Sequence, residues 1–403
     1  MLCSICCLVH IAGMIMRQYI PLHAQDLGAS PRVIGMIVAV YGLLPLIGAI
    51  PGGLLVDYFG ARRVLVAGSL LVSSCAVLLL AFISLLAVGV AQALGGLGIM
   101  LTLLATQAFV SRLGKPSDLT ANFVWYSTSM ALGLVLGPSL GGLLAQIGGF
   151  RLNCIVAIAI SLGVLPLIYL LQESVGQRHD AGLDPTGQYR LKKMALEISA
   201  SLSNAKVMFR RPLVRLVLLI TMYGIFGLSI RTSFYPVYLD AIGCSLTQIG
   251  MLSALQSLVA LGVRPFVGHL IDLFGELRLA ALAVLVGALG IGITPLLRGF
   301  GPLAVAAVLA GVAMTVTQPV SMILMSKATP SEHRGVGLGV RQMSNRGTDL
   351  LTPMILGFVV SWVGIGNFFF VAAAFLLVGS FSLFWFQATI SADQFAPGHS
   401  EVR

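Results

Sequence analysis

Charged side chains are scarce in this sequence. Asp, Glu, Lys and Arg together make up 9% of the 403 residues, whereas 58% of the residues are hydrophobic. A soluble globular protein carries about 25% charged residues, so this chain could not cover a water-facing surface with polar groups. The composition therefore excludes a water-soluble protein and predicts that lipid surrounds most of the chain.

Several kinds of functional chemistry are also missing. The six cysteines lack the paired spacings of a zinc site, the six histidines are scattered, and no G-x-x-x-x-G-K-[ST] nucleotide-binding loop occurs. We therefore expect no metal, no cofactor, no ATP hydrolysis and no enzymatic activity. The net charge of +10 does not indicate nucleic-acid binding, because the basic residues lie in short loops and within apolar stretches.

Apolar stretches fill most of the chain. A helix needs about 20 apolar residues to cross the hydrocarbon core of a membrane. Twelve stretches approach or exceed this length, at residues 2–22, 32–56, 64–83, 85–112, 119–146, 152–172, 213–239, 246–271, 278–297, 302–326, 335–362 and 366–387. The sequence predicts an all-α membrane protein with twelve transmembrane helices, numbered α1 to α12 below. The first stretch lacks the basic start and cleavage site of a signal peptide, so we interpret it as α1.

Basic residues predict the orientation of these helices, because cytoplasmic loops carry an excess of Lys and Arg. One set of loops, together with the long polar segment, contains Arg62, Arg63, Arg112, Lys115, Arg178, Arg190, Lys192, Lys193, Lys206, Arg210, Arg211, Arg278, Lys327 and Arg334. The opposite loops contain Arg32, Arg151 and Arg298. We therefore expect a multi-pass protein of the bacterial cytoplasmic membrane with both termini in the cytoplasm.

The chain repeats itself at a constant offset of 215 residues. This offset aligns Pro21 with Pro236, Gly28 with Gly243, Asp57 with Asp272, Pro138 with Pro353 and Gly142 with Gly357. Such a repeat predicts two similar halves. We expect an N-terminal six-helix bundle at 1–172, a cytoplasmic linker at 173–212, a C-terminal six-helix bundle at 213–390 and a cytoplasmic tail at 391–403.

A short loop motif occurs once in each half. The first copy consists of Gly53, Asp57, Gly60, Arg62 and Arg63, and the second copy of Gly268, Asp272, Gly275 and Arg278. Two six-helix halves with this repeated G-x-x-x-D-x-x-G-x-R-[RK] loop resemble the major facilitator superfamily. The resemblance implies a secondary active transporter whose halves rock about a central site. It also implies a gating role for the motif, in which the glycines permit close helix approach and the aspartates pair with an arginine or cap a helix.

A second motif lies in α5, where Gly133, Gly137, Pro138, Gly141 and Gly142 form a G-x-x-x-G-P-x-x-G-G pattern. This pattern is similar to that of drug and metabolite exporters of the superfamily and favours efflux. The alternative is only a tightly packed, bent helix. Proton-coupled exporters often carry an arginine in α4 where this chain has Ala91, so proton coupling stays open here.

A few charged residues lie within the apolar stretches, where each costs about 2.5–3.5 kcal/mol. Arg17 in α1 and Arg231 in α7 occupy nearly equivalent positions in the two halves, so they could clamp an anion; alternatively, both reach the outer membrane interface. Asp349 is the only acid deep in a stretch. It is the candidate for a proton-coupling group or for an ion pair with Arg346 or Arg264. Further candidates for solute binding are Trp125, Tyr126, Gln256, Gln318 and Arg346.

The sequence thus predicts a monomeric transporter that exports a small organic solute, with the lipid bilayer as its surroundings and protons as the candidate coupling ion. The alternative is an importer or exchanger of an organic anion or organophosphate. A non-transporting membrane sensor is a more remote alternative.

Overall fold

The computed structural model describes residues 1–111, 119–171, 212–329 and 334–389. Within these ranges the chain is helical and contains no β-strand. Nearly all of the predicted linker at 173–212 and the whole predicted tail at 391–403 lie outside the described residues. The division of the chain into domains therefore stays a prediction.

The helices follow the predicted stretches closely. The undivided ones are α2 (Pro31–Phe59), α3 (Ala61–Ala81), α4 (Leu85–Ser111), α7 (Pro212–Ala241), α9 (Glu276–Ile293) and α10 (Phe300–Ala328). Helix α8 runs from Leu246–Val263 through a 3-10 turn into Val267–Phe274. Helix α1 is divided into Leu2–Arg17 and Ile20–Asp26, because Pro21 has no backbone N–H to continue the hydrogen-bond ladder.

The remaining four predicted spans lie in two long helical runs. Leu119–Leu170 bends at Gly148 and Gly149, and Arg334–Thr389 bends at Gly364. Dividing each run at its bend gives α5 (119–147), α6 (150–170), α11 (334–363) and α12 (365–389). Ten runs of the described residues are long and apolar enough to cross a membrane, and two of these contain such a bend, which is consistent with twelve transmembrane helices.

The 215-residue repeat is visible in the backbone. Glycines with positive φ form three pairs at this offset: Gly28 and Gly243 at 82° and 84°, Gly60 and Gly275 at 86° and 77°, and Gly149 and Gly364 at 68° and 80°. Glycine adopts such angles without the steric penalty that other residues meet. Each pair therefore forms the same kind of turn in both halves.

The α2–α11 interface joins the two halves through glycine. Gly35 packs directly on the carbonyl oxygen of Pro353, and a Cβ atom built on Gly35 would lie 3.1 Å from the Cα atom of Gly357. Small residues are required at such a place, because membrane helices attract each other mainly through close packing of their backbones.

The α5–α8 interface repeats this contact. Gly250 packs on the carbonyl oxygen of Pro138, and a Cβ atom built on Gly250 would lie 3.2 Å from the Cα atom of Gly142. Each of these residues is related by the 215-residue offset to one in the α2–α11 interface. The two interfaces are thus two copies of one contact, related by the internal repeat.

The two interfaces lie towards the same end of the molecule. We call this the closed end; it carries the turns at Gly28 and Gly243, and there the side chain of Gln146 accepts a hydrogen bond from the Leu246 amide at 3.1 Å. The open end carries the two loop motifs. A Cβ atom built on Gly53 or Gly268 at the open end would meet no atom of the described residues within 4 Å. Among the described residues, these backbone contacts therefore join the halves at the closed end.

Replacing Gly35 or Gly250 by alanine should prevent packing at the closed end, because the new Cβ would overlap the carbonyl oxygen of Pro353 or Pro138. Spin labels placed across each interface should report longer distances by pulsed electron paramagnetic resonance. Gly163→Ala is the matched control, since a Cβ there meets nothing within 4 Å. Parental distances in both interface variants would show that these contacts do not hold the halves together.

Candidate functional site

A tyrosine in α2 gathers three of the charged side chains that the sequence singled out. The guanidinium carbon of Arg17 lies 3.9 Å from the centroid of the Tyr41 ring, which is a cation–π contact. Arg346 and Asp349 of α11 also act electrostatically on Tyr41. We call these four residues the Tyr41 cluster. It contains residues from both halves of the protein.

The Tyr41 cluster lies beside the α2–α11 interface, where Gly42 packs against the backbone of Leu350. Tyr41 is buried, whereas Arg17, Arg346 and Asp349 are partly exposed. The Nε atom of Arg17 is buried without a hydrogen-bond partner. The cluster therefore combines charge of both signs with an unused donor, which suits it to bind a polar solute.

The predicted ion pair of Asp349 is wrong for this conformation. In the described part of the chain, no side-chain nitrogen of Arg346 or Arg264 lies within 4.0 Å of an Asp349 carboxylate oxygen, which is the limit for an ion pair. A spacing of three residues on a helix permits such a pair without requiring it. Arg264 lies exposed in the turn of α8.

Arg231 occupies a different environment from Arg17. It is only 7% exposed, and its Nη1 atom donates a hydrogen bond of 2.7 Å to Ser257 Oγ and a longer one of 3.5 Å to the Ser253 carbonyl oxygen. Gln18 Nε2 donates to Ser253 Oγ at 2.9 Å and to the Arg231 carbonyl oxygen at 3.4 Å. The alternative that Arg231 reaches the outer membrane interface is therefore wrong, because the side chain is enclosed by protein.

The structure brings Arg17 and Arg231 close enough for their charges to interact. They do not form a symmetric clamp, since Arg17 stacks on Tyr41 while Arg231 is hydrogen-bonded to serines of α8. Binding of a solute by Arg231 stays a prediction. The sequence analysis did not identify Tyr41 as a candidate. The repeat offset aligns it with Gln256, which was predicted to bind the solute.

Gln318 belongs to a polar network between α10 and α11. Arg341 Nη1 donates to Gln318 Oε1 and to Ser321 Oγ, each at 3.1 Å, and Asn345 Nδ2 donates to Gln318 Oε1 at 3.4 Å. Arg341 therefore connects α11 to α10. The network holds Gln318 in place and occupies most of its hydrogen-bonding capacity.

The other predicted binding residues are dispersed. Trp125 is 66% exposed, whereas its neighbour Tyr126 is buried beside Cys6 and Gln107. Gln256 is buried in α8 and lines a small cavity next to Arg231 rather than the Tyr41 cluster. These three side chains therefore differ from one another in exposure and in surroundings.

The glycine motif of α5 packs this helix against α1 along three turns. Cβ atoms at Gly133, Gly137 and Gly141 would each overlap α1, the first at His10 and the second at Met14. The motif ends at the α5–α8 interface, where Gly142 packs on the Leu246 carbonyl oxygen. It therefore forms a junction of three helices, in agreement with its predicted packing role.

Tyr19 completes this junction. Its hydroxyl group donates to the carbonyl oxygens of Pro138 at 3.1 Å and Leu246 at 3.2 Å. One hydroxyl group in the break of α1 thus connects α1 to α5 and α8. No signal in the sequence pointed to it, because a tyrosine within a membrane span usually serves packing.

The two loop motifs do not show the helix contacts that the sequence predicts for them. Among the described residues, no atom lies within 4 Å of a Cβ atom built on Gly53 or Gly268, so the close helix approach predicted for these glycines is wrong for this conformation. Asp272 is exposed and has no ion pair within the described residues, and the side chain of Asp57 lies outside them. Gly60 and Gly275 form the positive-φ turns that end their helices.

The basic residues of the motif face the open end. Arg62 Nη2 donates to the Tyr169 carbonyl oxygen at 2.7 Å and stacks over the Tyr169 ring at 4.8 Å. Arg63 and Arg278 are exposed. Lys327 forms an ion pair with Glu276 that joins the end of α10 to the start of α9. The motif thus ties helices together within each half, and its gating role stays a prediction.

The family of the chain follows from its sequence over nearly the whole length. The family model of the Major Facilitator Superfamily matches residues 2–293 and 217–401. The chain therefore belongs to this superfamily, which confirms the resemblance inferred from the loop motif. It is a multi-pass membrane transporter for small molecules and not an enzyme.

Relatives and solved structures agree with this assignment. Multidrug resistance protein 2 of Bacillus subtilis (strain 168) is 22% identical over 285 residues, which are 70% of this chain and 68% of that protein. Quinolone resistance protein NorA of Staphylococcus aureus (strain MRSA252) is 25% identical over 219 residues, which are 54% of this chain and 52% of that protein. A structure of the peptide transporter POT aligns over 96% of this chain and 93% of its own, with a TM-score of 0.76 and 17% identity. A D-xylose-proton symporter aligns over 94% and 96%, with a TM-score of 0.70 and 16% identity. At these identities the two structures show the fold alone.

Replacing Tyr19 by phenylalanine should loosen the α5–α8 interface selectively, because the Pro138 and Leu246 carbonyl oxygens lose their donor at a cost of about 1 kcal/mol. Spin-label distances across α5–α8 should broaden, while those across α2–α11 stay at the parental values. Tyr238→Phe is the control, since its hydroxyl group contacts Arg298 within the C-terminal half. Equal broadening at both interfaces, or none, would contradict this role of Tyr19.

Proposed function

We propose that this transporter exports a small organic solute across the bacterial cytoplasmic membrane in exchange for protons. The observation that carries the proposal is the position of Asp349, which lies partly exposed in the Tyr41 cluster, beside the α2–α11 interface. A carboxyl group there can change its charge when the halves separate or close. The names of two relatives refer to drug resistance, which supports efflux as the direction.

In this proposal the open end faces the cytoplasm. It carries Arg62, Arg63, Arg278 and Lys327, and an excess of basic residues is typical of cytoplasmic loops. The conformation described here is then inward-facing, and a solute reaches the Tyr41 cluster from the cytoplasm. Separation of the α2–α11 and α5–α8 interfaces would open the path to the outside.

The charge of Asp349 links proton binding to solute binding. An ionised carboxylate attracts a cationic or hydrogen-bond-donating solute and offsets the charges of Arg17 and Arg346. Protonation removes this attraction, so a proton arriving from the outside displaces such a solute. Exchange of solute for protons follows from this competition for one carboxylate.

An organic anion would be coupled in the opposite direction. Protonation of Asp349 would leave the charges of Arg17 and Arg346 without compensation and so strengthen anion binding. Proton and anion would then cross the membrane together. The second candidate function is therefore uptake of an organic anion or organophosphate, and the excess of two arginines over one carboxylate in the Tyr41 cluster supports it.

Asp349→Asn should abolish solute accumulation driven by a pH gradient in proteoliposomes, because an amide cannot bind the coupling proton. Exchange of labelled for unlabelled solute should continue, since it requires no net proton movement. Asp26→Asn, which changes an exposed acid at the end of α1, should retain gradient-driven transport. Undiminished accumulation by Asp349→Asn would overturn the assignment of proton coupling.

The same proteoliposomes distinguish the two functions when cationic, neutral and anionic solutes are compared. Exchange of solute for protons concentrates the solute on the side of lower pH. Movement of solute together with protons concentrates it on the side of higher pH. If the solute is an anion, Arg17→Gln should weaken its binding roughly tenfold or more, while Arg341→Gln should change it little. An equal effect of both replacements would point to general damage rather than to a solute contact.

A further inference from the structure

Arg231 borders a small cavity that the proposed function does not use. The cavity has a volume of about 20 Å³ and lies within the C-terminal half, enclosed by residues of α7, α8, α10 and α12 and by the end of α9. Its polar lining consists of Arg231, Tyr235, Gln256 and Thr294. All of these lining residues belong to the C-terminal half of the protein.

Two hydrogen-bond donors of this lining are unused. The Nε atom of Arg231 and the hydroxyl group of Tyr235 are buried without a partner, and the two residues are 7% and 4% exposed. The Tyr235 hydroxyl group lies against the Gln256 side chain without a hydrogen bond of good geometry. Buried donors normally find an acceptor, so the two unpaired groups indicate that something in the cavity accepts from them.

The charge of Arg231 is also uncompensated. Its Nη1 atom bonds only to neutral oxygens of Ser253 and Ser257, and it forms no ion pair with any carboxylate of the described residues. The charged side chain that acts on it is Arg17, which carries the same sign. A buried charge without a counter-charge is strongly unfavourable. The missing partner is therefore negatively charged.

We infer that the Arg231 cavity binds a single halide-class anion, with chloride as its occupant in the cell. The small volume of the cavity favours a single monatomic anion over a larger carboxylate or phosphate. The rest of the wall is apolar and includes Ala306, Ala307 and Ala310. A water molecule would fit this volume but would leave the guanidinium charge without compensation. The proposal goes beyond the transport function and does not depend on which solute is carried.

Bromide is the probe for this site, because it resembles chloride in charge and size and scatters X-rays anomalously. The purified full-length protein should show a saturable rise in its melting temperature in sodium bromide or chloride, compared with sodium gluconate at the same ionic strength. Crystals soaked in bromide should show an anomalous peak within hydrogen-bonding reach of Arg231 Nε and the Tyr235 hydroxyl group.

Two variants test the assignment without relying on one another. Ala310→Val fills the cavity and keeps the guanidinium group, while Arg231→Gln removes the charge; each should lower the apparent bromide affinity by roughly tenfold or more. Each variant is compared with its own melting temperature in gluconate, so altered folding does not imitate lost binding. Arg341→Gln removes another partly buried arginine of the same half that does not line the cavity, and it should keep the bromide response.

The proposal fails if the wild-type protein melts at the same temperature in bromide and gluconate, since the cavity then holds only water. It also fails if the halide response survives unchanged in Ala310→Val. Neither outcome bears on solute transport, because the Asp349 variants are tested with different proteoliposome readouts.

Discussion

The position of the Tyr41 cluster depends on one contact, the packing of a glycine on the carbonyl oxygen of a proline. Lipid tails are as apolar as leucine, so hydrophobic burial does little to hold the two halves together, and close backbone packing must supply the attraction. The α2–α11 copy of this contact places Tyr41 beside α11, because the next residue, Gly42, packs on Leu350. Through Tyr41, Arg17 of one half and Asp349 of the other act on the same side chain.

The two copies of this contact share their backbone geometry but differ in their polar surroundings. At the α5–α8 interface the hydroxyl group of Tyr19 connects three helices, whereas the residue 215 positions later is Phe234, which has no donor. Tyr41 in the Tyr41 cluster corresponds in the same way to Gln256 beside Arg231. The α5–α8 interface thus carries the hydrogen bonds of Tyr19, whereas the Tyr41 cluster with its charged side chains lies beside the α2–α11 interface.

Much of the fold could be predicted from the sequence, because the length of apolar stretches and the repeat offset are properties of the chain itself. The packing role of Gly137 and Gly141 was predictable for the same reason. The lack of a close helix contact at Gly53 and Gly268 among the described residues was not, since a transporter has several conformations and residue spacing does not specify which one is adopted. The missing ion pair of Asp349 has another cause: helical spacing brings two Cα atoms near each other, but it does not determine which neighbour a side chain turns to.

The equivalence of the two interfaces has a consequence for the origin of the protein. Gly35 of the first half meets Pro353, and the counterpart of Pro353 in the first half is Pro138. Two copies of the first half could therefore pair with each other through the same glycine and proline at both contacts, with a two-fold axis between them. The single chain thus has the pair of interfaces that such a homodimer would have. Because the contact uses only glycine and proline backbone atoms, the charges of each half can differ without altering the surface that joins the halves.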